Sequence, residues 1–123
     1  MMVSGLEYLD EPAELESVAM LFSGGMGLGG HCGFLTAGLM LLGLAAAGSP
    51  NGKAAASEAR KEFTDAWKKR WPFLCKEIKT APPEKKMPNC GVIGVEAGSI
   101  LGPLLEPLAK DPQRARFQRK PRT

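Results

Sequence analysis

Three thiols and one imidazole hold most of the chemical potential of this 123-residue chain: Cys32, Cys75, Cys90 and His31. A thiolate is the nucleophile of disulfide exchange and a soft ligand for metals, so these residues could form a thiol or a metal site. No two cysteines stand in a C-x-x-C pair. That spacing excludes the zinc-ribbon, thioredoxin-type and c-type haem signatures, and the fold itself must gather any joint site. Cys32 opens an apolar stretch, Cys75 lies three residues after Pro72, and Cys90 follows Pro88–Asn89. Each is a predicted helix start, where the helix dipole and free N–H groups favour a thiolate. Cys32 is the expected attacking thiolate, with His31 beside it as a possible base or ligand. The structural alternative is three buried, inert thiols. Direct His31–Cys32 hydrolase chemistry is poorly supported, because adjacent side chains at a helix start diverge.

The segment that positions Cys32 is "SGGMGLGG", Ser23–Gly30. Its glycines, Gly24, Gly25, Gly27, Gly29 and Gly30, are expected to turn N–H groups into a concavity that stabilises an anion or a thiolate. The loop also contains G-x-G-x-x-G at Gly25, Gly27 and Gly30. That pattern binds dinucleotides only after a strand, with an acidic residue about 20 positions on. Here a helical pattern precedes it and "GSPNG" occupies the acidic position, so no nucleotide is expected.

The surrounding elements read as helices. "DEPAELESVAMLF" has a capping Asp10, Pro12 in the first turn, and Leu15, Val18, Ala19 and Phe22 at helical spacing. "CGFLTAGLMLLGLAAAG" predicts a helix over Cys32–Ala47 that is apolar all round, as in a helix enclosed by others. Its apolar run of about 17 residues lacks flanking anchors and falls short of a span, so no membrane role is expected. "KAAASEARKEFTDAWKKRW" sets Ala55, Ala59, Phe63, Trp67 and Trp71 on one face. "PFLCKEIK" begins a short helix, "TAPPEKKMP" is a loop, and "NCGVIGVEAGSILGPLLEPLA" is a final helix capped by Asn89, carrying Val92, Ile93, Ala97, Ile100 and Leu101 before Pro103. With no convincing strand, the fold class is all-α: a small bundle of four to five helices with a Gly-rich loop before a buried central helix. Residues 1–110 form one domain. Residues 111–123 form a basic tail that is expected to be disordered.

Charge is unevenly spread. Residues 1–52 carry five acids and no Lys or Arg, whereas residues 53–123 carry all 16 bases against eight acids. Complementary surfaces within a fold or dimer explain this more simply than an acidic partner does. The tail residues Arg114, Arg116, Arg119, Lys120 and Arg122, with Phe117 among them, could contact phosphates and bases, but a short basic terminus is usually only solvated, and nucleic-acid binding is not expected. The acidic beginning differs from a secretory signal, which implies a reducing, cytoplasmic setting.

The stretches "FSGGMGLGGHCGFLTAGLMLLGL", "EFTDAWKKRWPFLCKEI" and "NCGVIGVEAGSIL" together resemble the C_GCAxxG_C_C family of redox-active proteins. The resemblance spans about Leu15–Leu105 and places Cys32 at the motif cysteine, with Cys75 and Cys90 as the last two. The family is also similar to part of the split-Soret cytochromes, whose cysteines hold an iron–sulfur cluster. That likeness implies metal or cluster binding as readily as dithiol chemistry, and no haem. Phe34 stands where the motif has alanine, and Ala37 where it has its second glycine, with Gly38 following. The family's further, earlier cysteine has no counterpart here, so His31, a carboxylate, a dimer partner or an exogenous ligand would have to complete a four-ligand site.

These features point to a small redox-active protein whose clustered Cys32, Cys75 and Cys90 bind an iron–sulfur cluster or zinc, or exchange a disulfide with an unidentified redox partner. The alternative is a non-catalytic helical assembly module that has lost a complete cysteine site. Small residues on the apolar helices (Gly38, Gly43 and Ala45–Ala47, then Gly94, Ala97 and Gly98) imply close helix contacts, some of them between the subunits of a homodimer.

Overall fold

A computed structural model describes residues 1–112 and 114. Its α-helices are α1 (Met2–Tyr8), α2 (Glu16–Ala19), α3 (Gly33–Ala46), α4 (Gly52–Lys68), α5 (Cys75–Lys79) and α6 (Cys90–Ala109). No strand occurs among the described residues, in accord with the all-α expectation. Helices α3, α4 and α6 pack pairwise against one another, and α1 lies on α3.

Helix α4 follows its periodicity closely. Ala59, Phe63, Trp67 and Trp71 are buried in a row. Trp67 stacks edge-on against Phe63 and Trp71, with centroids 6.1 and 4.9 Å away. Its indole N–H donates to the Pro72 carbonyl at 2.8 Å, so the largest buried ring also leaves no polar atom unpaired. Leu35, Ala37, Leu41, Leu42 and Ala45 of α3 meet Ile93, Ala97, Leu101 and Leu105 of α6 in the same core. As expected, α3 is the central apolar helix, and Cys32 is the residue immediately before it.

The motif departures are absorbed by packing. A Cβ on Gly94 would lie 2.7 Å from the Phe34 ring, so the bulk gained at the motif alanine is accommodated by a glycine on α6. A Cβ on Gly38 would lie 2.7 Å from the Phe63 ring.

Two elements differ from the sequence reading. Residues 2–8, not expected to be helical, form α1, which buries Met2, Gly5 and Leu6. The anticipated single helix after Asp10 is broken into 3-10 turns at Ala13–Leu15 and Met20–Phe22 around the one-turn α2. Asp10 does not cap it. It takes a left-handed φ of 55°, and Val18, Met20 and Leu21 are exposed. So short a segment cannot bury a full helical stripe, and local turns prevail. As expected, α6 runs from Cys90 through Pro103 and Pro107 to Ala109. Both prolines are exposed, so water can satisfy the carbonyls they leave unpaired, while burial of Leu101 and Leu105 keeps the helix against the core. Residues 83–109 are also long and apolar enough, by length and composition, to cross a membrane.

Arg114 lies within the stretch expected to be a free tail, yet its side chain is only 3% exposed. Its guanidinium pairs with the fully buried Glu11 carboxylate at 2.8 Å and donates to the Leu9 carbonyl. Burial of both partners excludes the water that would otherwise compete for them, and one pair joins the acidic first half to the basic second half. The other tail positions, Arg116, Phe117, Arg119, Lys120 and Arg122, lie outside the described residues.

Candidate thiol site

The three cysteines occupy helix starts, as their sequence settings imply. Cys32 is the N-cap of α3, Cys75 is the first residue of α5, and Cys90 is the first residue of α6. The α6 start is fixed by Asn89, whose side-chain oxygen accepts from the Val92 N–H at 2.9 Å. That is the ordinary capping arrangement.

Cys32 and Cys75 are joined by backbone, not by a local motif. The Cys32 N–H donates to the Phe73 carbonyl at 2.8 Å, and the Cys75 N–H to the Gly30 carbonyl at 2.6 Å. These bonds flank a single antiparallel bridge between His31 and Leu74. Side chains alternate across such a pairing, so Cys32 and Cys75 fall on one face and His31 and Leu74 on the other. Cys32 and Cys75 are diagonal neighbours there, a relation that spans about 7–8 Å. Both are buried, each 7% exposed, whereas Cys90 is exposed. All three line one cavity of about 330 Å³, together with Glu16, Met20, Phe34 and Lys79.

His31 does not take part. It is exposed, it pairs across the bridge with Leu74, and it does not line the cavity.

The glycine loop also works differently from the expected concavity. It closes on itself in one wide turn, with the Gly30 N–H bonded to the Gly25 carbonyl at 3.0 Å. Gly25 has a φ of +63°, and a Cβ there would meet the Gly30 backbone at 2.4 Å. Gly29 packs against Lys76 of α5. Of Gly24, Gly25, Gly27, Gly29 and Gly30, only Gly24 lines the thiol cavity. The loop therefore acts as a spacer: it docks on α5 and holds out the Gly30 carbonyl that anchors Cys75.

Burial pushes the Cys32 thiol above its ordinary pKa, the reverse of the activation expected at a helix start. The Phe34 and Leu35 N–H groups pull the other way, although the sulfur makes no full capping hydrogen bond, and charge on Cys75 or Cys90 would push it higher still. Desolvation wins. That like-charge influence also means the three sulfurs share one local field. Cys32 is thus a poor first attacker, and the exposed Cys90 is the thiol a partner can reach.

Among the described residues, no group of three His, Cys, Asp or Glu side chains is arranged to hold a metal ion.

Sequence reasoning missed the residues that create the junction, Phe73 and Leu74. Their only signal is position, immediately before Cys75 and directly after Pro72.

Comparison with curated proteins and with solved structures gives no match. Nothing found supports the suggested relation to split-Soret cytochromes. A family model does match, over residues 1–103, described as "Putative redox-active protein (C_GCAxxG_C_C)". The matched span holds all three cysteines, the glycine loop and the bridge between them. This chain therefore belongs to the C_GCAxxG_C_C family of redox-active proteins.

Proposed function

We propose that the protein is a dithiol redox protein in which Cys32 and Cys75 form the reversible disulfide and Cys90 is the entry thiol. The observation that carries this reading is the backbone bridge, which puts two buried thiols on one face of a cavity that an exposed third thiol also lines.

In the oxidising direction, the Cys90 thiolate attacks a sulfur of the partner's disulfide. A Cys90–partner bond forms as the partner's S–S bond breaks, and the first partner thiolate leaves. The Cys75 thiolate then attacks the Cys90 sulfur and releases the second partner thiolate. Cys32 attacks Cys75, Cys90 leaves as a thiolate, and the Cys32–Cys75 disulfide remains. Two protein thiols are oxidised, one partner disulfide is reduced to two thiols, and the two protons released by Cys32 and Cys75 protonate the departing thiolates. Disulfides have Cα separations of 4.4–6.8 Å, shorter than the usual diagonal spacing, so closure requires the two segments to draw together.

The test is disulfide mapping by mass spectrometry after brief exposure of anaerobically purified protein to a small disulfide. The expected product is Cys32–Cys75, formed roughly tenfold or more slowly in Cys90→Ser, since the buried pair loses its accessible relay. Three separately modified thiols and no internal bridge would end the dithiol reading. Stoichiometric zinc, or iron with sulfide, in the same preparation would favour the metal reading and require the donors to regroup.

A further inference from the structure

Cys90 borders a second cavity as well as the thiol cavity. This space of about 430 Å³ lies between α5 and the start of α6, and Lys79, Lys86, Met87 and Asn89 line it beside flanking prolines. Its charged side chains are both lysines: Lys79 ends α5, and Lys86 lies within the loop that joins α5 to α6. Neither lysine makes an ion pair among the described residues. Glu16 is on the thiol-cavity side and does not line this second space. Lys79 lines both cavities, so the cationic pocket and the thiol cavity meet at Lys79 and Cys90.

From this geometry we infer that the pocket takes the disulfide of a small carboxylate-bearing thiol. Lys79 and Lys86 would hold the carboxylates while the Met87 and proline surfaces cover the carbon skeleton. The inference rests on the dithiol reading and specifies its substrate. The Cys90 thiolate attacks the nearer sulfur of the bound disulfide. One Cys90–S bond forms, the ligand's S–S bond breaks, and the departing small thiolate takes a proton from water. Two positive charges near the leaving thiolate favour this step, while a cationic disulfide would be repelled. A pocket of this size accommodates a small molecule, whereas a protein disulfide would have to bring a protruding chain segment into it.

The test uses full-length Cys32→Ser/Cys75→Ser protein, which keeps Cys90 but cannot relay, so the outcome is independent of whether the internal disulfide exists. Formation of the Cys90 mixed disulfide is timed by mass spectrometry with three probes of similar size: dithiodiglycolate (anionic), hydroxyethyl disulfide (neutral) and cystamine (cationic). Each rate is divided by that of a short unstructured cysteine peptide with the same probe, to remove intrinsic reactivity. The expected normalised order is anionic, neutral, cationic, with roughly a threefold to tenfold step between the first two at low salt, shrinking as salt rises. Lys79→Gln/Lys86→Gln should abolish that step. Both side chains are exposed, so the fold should be unaffected, and far-UV circular dichroism checks this. Equal normalised rates, or a preference that survives loss of both lysines, would overturn the assignment. Failure of the wild-type protein to form Cys32–Cys75, with the anionic preference intact, would instead count against the relay alone.

Discussion

At the scale of single residues, the decisive contrast is between Cys32 and Cys90. Both stand at helix starts, but one is buried and the other is exposed. Burial holds the Cys32 proton in the folded state. Between the ordinary thiol pKa and that raised value, the unfolded chain has lost a proton that the folded chain keeps. Stability from this group is therefore complete at neutral pH and is lost as pH rises through that window. Denaturant midpoints measured from pH 7 to 10 should show a shallower decline for Cys32→Ser than for wild type. An unchanged decline would mean that Cys32 is solvated in the folded protein. The types and order of the cysteines are plain in the sequence, but their ranking by reactivity is not. Placing Cys32 at a helix start correctly implies nearby N–H groups, yet burial is a property of the assembled core and outweighs them.

At the scale of elements, the site depends on the closed turn before α3. A side chain at Gly25 meets both a disfavoured φ and the Gly30 backbone, whereas one at Gly27 meets the φ alone, with nothing within 4 Å of its Cβ. Gly25→Ala should destabilise the protein by roughly 2–4 kcal/mol and Gly27→Ala by about 1 kcal/mol, read by thermal or chemical denaturation. Only the first should also slow Cys32–Cys75 closure, because only the first displaces the carbonyl that anchors Cys75. Helices α3 and α4 are legible from their apolar patterns, and the α6 start is legible from Asn89. The bridge between residues 30–32 and 73–75 is not, because two backbone hydrogen bonds across a long separation leave no periodicity.

At the scale of the whole molecule, the Glu11–Arg114 pair fastens the chain after α6 to the turn after α1. Removing one partner strands a buried charge, so Glu11→Ala should cost about 3–5 kcal/mol, measured by urea unfolding. Glu11→Leu/Arg114→Met, which removes both charges, should recover most of that loss. If both variants melt alike, the pair is solvated and the clasp is absent. The asymmetry of charge along the sequence foreshadows attraction between the two halves, but not which residues meet or that they do so out of water.

The backbone bridge joining Cys32 to Cys75 also links sulfur chemistry to heat resistance. A covalent bond at that junction would close a loop of about 44 residues and remove about 4 kcal/mol of chain entropy from the unfolded state, before any strain from drawing the segments together. Cellular redox poise would then be readable as a melting temperature. A thermal-shift assay in oxidising and reducing buffers would follow the oxidation state without a chromophore.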